Sequence, residues 1–147
     1  MTVKNTEEQF REKAATYVVC YSTLCPRRDH CLRSILSRYV DPDLRLVKSI
    51  NLASPLVQCD DCPEYRDDQP LRMPFGLKPL YQDMPGAMER AVKKQLISIY
   101  SRKRYYQYHN GLRPLSPDVE ECLRQTLLNV GWQHEPTFLG YVEEYLW

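Results

Sequence analysis

Five of the six cysteines in this chain fall in the stretch from Cys20 to Cys62. They are Cys20, Cys25, Cys31, Cys59 and Cys62. Four residues separate the first two, five the next pair, 27 precede Cys59, and two lie between Cys59 and Cys62. Structural zinc takes four soft ligands in a tetrahedron, often as two close pairs brought together by folding. The last pair has the common two-residue spacing; the first three cysteines are spaced more loosely. Cys25 and Cys62 are each followed by proline, which fixes the backbone leaving a ligand and removes one amide that needs a partner. Spacing alone selects Cys25, Cys31, Cys59 and Cys62, with His30 able to replace one sulfur. Two other readings compete. Unpaired cysteine is among the most buried residue types and packs as a small apolar side chain, and clustered thiols also serve redox chemistry.

Composition narrows the choice. Six cysteines in 147 residues are too few for a disulfide scaffold, which needs more than roughly 8–10 %. The first residues, MTVKNTEEQFREKAAT, lack the apolar run of a signal peptide, and no stretch approaches the ~20 apolar residues of a membrane helix. The expected compartment is the cytoplasm, where thiols stay reduced and clustered cysteines serve as metal ligands more often than as disulfides. The net charge of +1 supplies no global field toward DNA or an anionic membrane. A chain of this length suits one domain with a real core.

Periodicity places the elements. Thr6 to Ala15 favours helix, with acids in its first turn. Tyr17 to Tyr21 (YVVCY) reads as a strand carrying Cys20. Asp29 is placed to N-cap a helix from His30 to about Tyr39, whose Leu32, Ile35, Leu36 and Tyr39 form one apolar face. Leu44 to Leu52 is a second strand candidate, and the loop from Ser54 to Pro70 carries Cys59 and Cys62. Leu71 to Leu80, broken by Pro74, Gly76 and Pro79, reads as an extended piece and a turn. Val92, Leu96 and Ile99 space as a helix face through Ala87 to Tyr100. Ser116-Pro117 opens a helix with Val119, Cys122, Leu123, Thr126, Leu127 and Val130 on one side. Cys122 is therefore expected in the core. Gly131 can end that helix in a left-handed cap, with Trp132 folding back. The aromatic tail Phe138 to Trp147 is expected to dock.

A second candidate site is basic and aromatic. Lys93 and Lys94 precede SIYSRKRYYQYHNGLR (Ser98 to Arg113), where Arg102, Lys103 and Arg104 adjoin Tyr105, Tyr106 and Tyr108. Such a run can hold phosphates and stack bases. Equally, it is an amphipathic helix running into a turn at Asn110-Gly111, with packed tyrosines and snorkelling cations. Enzyme signatures are missing: no phosphate-binding glycine loop, GxSxG elbow or HExxH is present. His30, His109 and His134 are scattered, so no catalytic residue is assigned.

Several segments resemble a bacterial family known only as a domain of unknown function. They are CPRRDHCLR (Cys25 to Arg33), CPEYR (Cys62 to Arg66), GLKPLY (Gly76 to Tyr81) and DMP (Asp83 to Pro85). KKQLI (Lys93 to Ile97), RYYQY (Arg104 to Tyr108), GLRPLSP (Gly111 to Pro117) and FLGYVEEYLW (Phe138 to Trp147) complete the set. The resemblance brings no activity. It implies a ligand set of Cys20, Cys25, Cys31 and Cys62, with Cys59 as the spare, because the family position matching Cys59 is usually not cysteine. The expectation is a helix-rich α+β domain. Its Cys-rich lobe (1–70), holding a short strand pair, packs on a helical lobe (71–147). The leading function is a zinc-stabilised binding or adaptor module with an unknown protein partner. Nucleic-acid binding through the stretch 93–113 is the alternative, and a thiol-redox protein the third reading.

Overall fold

A computed structural model describes residues 6–57 and 60–147. The chain divides into two compact units, one of residues 1–69 with 145–147, the other of residues 70–144.

The first unit opens with helix α1 (Thr6–Ala14), which has Glu7 and Glu8 in its first turn and Arg11 and Lys13 in its last. That distribution suits the helix macrodipole. Phe10 and Ala14, one turn apart, are its buried pair. Helix α2 (Leu32–Ser37) begins two residues later than the sequence suggests. Arg28–His30 form a 3-10 turn instead, and Cys31 is the N-cap, with extended backbone at φ −108 and ψ 118 and no side-chain cap. The cause is a bridge: Cys31 pairs antiparallel with Asp67, and the Leu32 amide donates to the Arg66 carbonyl at 2.8 Å. Asp29, expected to cap, instead accepts from Arg38 at 3.1 Å. The helix closes with i→i−3 bonds from Arg38 to Ile35 and from Tyr39 to Leu36.

The two strand candidates of this unit meet at one parallel bridge, Val19 with Ser49. Val19 donates to Lys48 at 3.0 Å, and Ile50 donates to Val19 at 2.9 Å. The ladder goes no further, and the Cys20 amide, on the opposite edge, donates to the Arg33 carbonyl at 2.9 Å. The core is Phe10, Ala14, Val19, Leu32 and Leu36. The tail closes it: Tyr39, Tyr145 and Trp147 ring Phe10 with centroids at 5.3, 5.4 and 6.1 Å.

The regular strand pair lies in the second unit. Strand β1 (Leu71–Phe75) pairs antiparallel with β2 (Gly140–Glu144), from Leu71 opposite Glu144 to Phe75 opposite Gly140. Pro74 brings no N–H, yet its carbonyl accepts from Leu115 at 2.8 Å on the side away from β2. Gly76 follows at φ +77, where an added Cβ would strike Leu139. Helix α3 (Gly86–Tyr100) buries Val92 and Leu96, whereas Ile99, expected on the same face, is half exposed. Ser101, at φ +74, breaks the helix and its Oγ accepts from the Arg104 amide, so that α4 (Arg102–His109) starts afresh. Gly111 then turns at φ +74. Helix α5 (Pro117–Asn129) runs where the serine–proline signal puts it. Its end has both Schellman bonds, Trp132 to Leu127 at 2.9 Å and Gly131 to Leu128 at 3.0 Å. Leu77, Val92, Leu96, Tyr105, Leu115, Leu123 and Leu127 build this unit's core. The fold class is thus helix-rich α+β. Among the described residues, no helix is long and apolar enough to cross a membrane.

Candidate functional site

Three separate segments of the first unit carry the clustered cysteines, and one side chain ties them together. Cys20 follows the Val19 bridge, Cys25 precedes the 3-10 turn, Cys31 caps α2, and Cys62 lies on the loop that returns to the Asp67 bridge. Arg33, on the first turn of α2, is only 7 % exposed. Its Nη1 donates to the Val18 carbonyl at 2.9 Å, its Nε to the Glu64 carbonyl at 2.8 Å, and its Nη2 to the Glu64 carboxylate at 3.0 Å. The Arg33 carbonyl receives the Cys20 amide, and the guanidinium lies 4.8 Å from the Tyr17 ring centre. One residue therefore fixes the segments bearing Cys20, Cys31 and Cys62. Sequence reasoning missed it, although Arg33 closes the CPRRDHCLR segment. An arginine beside a leucine at a helix start carries no signal that its fork reaches two distant carbonyls.

Cys20, Cys25, Cys31 and Cys62 line a single cavity of about 30 Å³, together with Arg27, Arg33, Glu64 and Tyr65. All four are free thiols; Cys31 is buried and the others half-buried. The volume decides what fits. A cavity needs roughly 10–15 Å³ to hold one water, whereas small-molecule pockets run to about 300–1,000 Å³. The space is small: it has room for an ion or a water or two and is well below the size of a drug-like ligand pocket. Burial pushes the Cys20 thiol above its ordinary value. The Ser22 amide pulls it back down, and Cys31, Cys25 and Cys62 raise it further. Cys20 is thus held as a thiol, the opposite of an activated nucleophile. Among the described residues, no three His, Cys, Asp or Glu side chains are arranged to hold a metal ion. The sulfurs share a cavity without closing on a common centre.

The remaining candidates fall elsewhere. Cys59 lies outside the described residues. His30 points outward, 75 % exposed, with Nδ1 3.3 Å from Asp68 Oδ2. Cys122 is half-buried rather than core, and its thiol is paired with the Tyr100 hydroxyl. In the basic stretch, Tyr105 and Tyr108 are core residues at 1 % and 6 % exposure. Tyr105 donates to the Tyr81 hydroxyl at 3.1 Å, and Tyr108 meets Tyr100 edge-on. Neither ring presents a face on which a base can stack. Tyr106 is exposed, with Arg102 5.8 Å from its ring centre. Lys93 is bound to Glu89 at 2.7 Å, while Lys94 and Lys103 are exposed and Arg104 is partly covered.

Fold and cavity together define a helix-rich α+β protein whose first unit gathers four thiols around one small cavity. The chain belongs to DUF6078, a family of unknown function, whose family model matches residues 3–147. No match was found among curated proteins or among solved structures.

Proposed function

We propose that the first unit is a metal-stabilised module in which Cys20, Cys25, Cys31 and Cys62 bind one zinc ion, and that the protein works as a binding or adaptor module. The observation that carries this reading is the shared cavity: four unpaired thiols from separate segments line one small space. Zinc favours a tetrahedron of thiolates and would replace their protons. Only a cation gives four thiolates a reason to converge, since like charges otherwise repel. The Arg33 clamp supports the reading from outside, since outer partners that orient ligands are typical of metal sites. A structural ion would also stiffen loops that present exposed Leu24 and Leu46, side chains suited to a protein partner.

The decisive experiment is elemental analysis of the full chain purified under reducing conditions. The expected result is one zinc per chain, with cobalt substitution giving the absorption of a four-sulfur tetrahedral site. Chelation is expected to unfold the first unit, because structural zinc in small peptides contributes about 10–16 kcal/mol. Metal-free protein that melts normally, with all clustered thiols freely titratable in the native state, would refute the reading.

A further inference from the structure

Arg27 carries a buried donor with nowhere to go. Its Nη2 is shut off from water and has no hydrogen-bond partner. An unmade bond at a buried charged donor costs more than the roughly 1–3 kcal/mol of a neutral one, and native chains rarely leave such a group unsatisfied. Its guanidinium sits 4.1 Å from the centre of the Tyr65 ring, a cation–π contact that favours this position. Arg27 and Tyr65 both line the thiol cavity. The one carboxylate there, Glu64, is already taken by Arg33 Nη2 at 3.0 Å. Neutral thiols are weak acceptors, whereas thiolates are strong ones. A thiolate in this cavity would give the donor the acceptor it lacks.

We propose that Arg27 is a positioning residue for the cysteine site, donating its Nη2–H to a metal-bound thiolate and so setting how tightly the ion is held and how inert the sulfurs are. This rests on the metal reading above. A divalent ion with four thiolates has a net double negative charge, which is costly in a largely enclosed space. The guanidinium of Arg33 faces outward to carbonyls and a carboxylate. Arg27 supplies the compensating cation that retains a free N–H. Hydrogen bonding draws electron density from sulfur, which slows its attack on electrophiles and its oxidation.

The test uses the full chain loaded with zinc or cobalt, comparing wild type with Arg27→Met, which keeps the stem and removes the donor. Loss of an outer-shell partner weakens metal affinity roughly 10–100-fold, so competition against a chromophoric chelator is expected to show a loss in that range. The sulfur-to-cobalt charge-transfer band is expected to move to lower energy, and alkylation of the bound thiolates by iodoacetamide to speed up. A purely structural role for Arg27 would not move that band in a folded variant. If Arg27→Met fails to fold, Arg27→Lys keeps charge and length without the forked Nη2, and the same band is expected to shift. Wild type that binds metal, with a folded variant matching it in affinity, band position and alkylation rate, overturns the role of Arg27 alone. Wild type that binds no metal overturns the site itself.

Discussion

Replacing Arg33 with methionine tests whether one side chain holds the Cys-bearing segments together. Methionine keeps an apolar stem and removes three hydrogen bonds of 2.8, 2.9 and 3.0 Å. Bonds to a charged group contribute about 1.5–3 kcal/mol each. They share one side chain, so they do not add. The bonds to the Val18 and Glu64 carbonyls carry most of the cost, and the expected loss is about 3–5 kcal/mol, a large part of the ~5–15 kcal/mol that stabilises a domain. The Glu64 side chain is 41 % exposed, so the ion pair itself contributes at most about 1 kcal/mol. Glu64→Gln is therefore expected to cost far less than Arg33→Met, because the bonds to the Val18 and Glu64 carbonyls survive. The assay is urea unfolding in a Trp132→Phe background, where Trp147, packed on Phe10 and Tyr17, reports the first unit. With a slope of about 2 kcal/mol/M, the Arg33→Met midpoint falls by about 1.5–2.5 M. A loss below about 1 kcal/mol, or equal losses for Arg33→Met and Glu64→Gln, would show that the carbonyl bonds do not hold these segments.

Other consequences are open to simple measurement. The His109 imidazole titrates below its ordinary range because burial, then Lys93 and Lys78, disfavour the cation. The unfolded chain thus takes up its proton first, and stability of the second unit is expected to fall as pH drops below about 6.5 toward the folded value. His109→Gln should flatten that slope in unfolding midpoints between pH 7.5 and 5, and an unchanged slope would assign the effect to other groups. Burial pushes the Tyr81 phenol up to about 12, so an ultraviolet titration should lose one late-ionising step in Tyr81→Phe. The same variant removes the acceptor for Tyr105 and should cost about 1 kcal/mol. Gly76→Ala meets both a positive φ and the Leu139 side chain. It should cost about 1–2 kcal/mol from backbone strain alone, with a further loss that Leu139→Ala relieves; full rescue by that second change would rule out the strain.

The helices were legible where local chemistry and burial agree. Ser116-Pro117 and Gly131 mark both ends of α5, and the acid-to-base gradient marks α1. The start of α2 was not legible, because Asp29 is as good a cap as any and the partner that claims Cys31, Asp67, is 36 residues away. The end of α3 at Tyr100 was legible, but not the sharp turn at Ser101 that lets α4 start at once. A non-glycine residue at φ +74 has no sequence signature, and Ile99 and Tyr100 continue the apolar period almost to it. The strand candidates 17–21 and 44–52 have the right side chains. Their ladder nevertheless ends after one bridge, and the Cys20 amide pairs with Arg33 rather than with a strand. The thiol cavity was half legible: clustering pointed to the cysteines, but spacing favoured Cys59. Only the fold shows that Cys20, at the end of an arrested strand, faces the same space as Cys25, Cys31 and Cys62.

The pairing of Leu71 with Glu144 has a consequence for how the chain is threaded. The second unit's first and last strands are neighbours, so the polypeptide leaves that unit beside the point where it entered. Residues 70–144 are therefore an insertion in the topological sense, a long excursion pinched shut at its neck. Before the neck closes, bringing Tyr145 and Trp147 to Phe10 means closing a loop of well over a hundred residues, and the entropy lost grows with loop length. Once it closes, the same contact spans a short effective tether. Synthesis also runs in one direction, so the first unit cannot complete its aromatic cluster until the whole excursion has been made. The expected order is that the interior of the sequence folds first and the two flanks, synthesised earliest and latest, find each other afterwards.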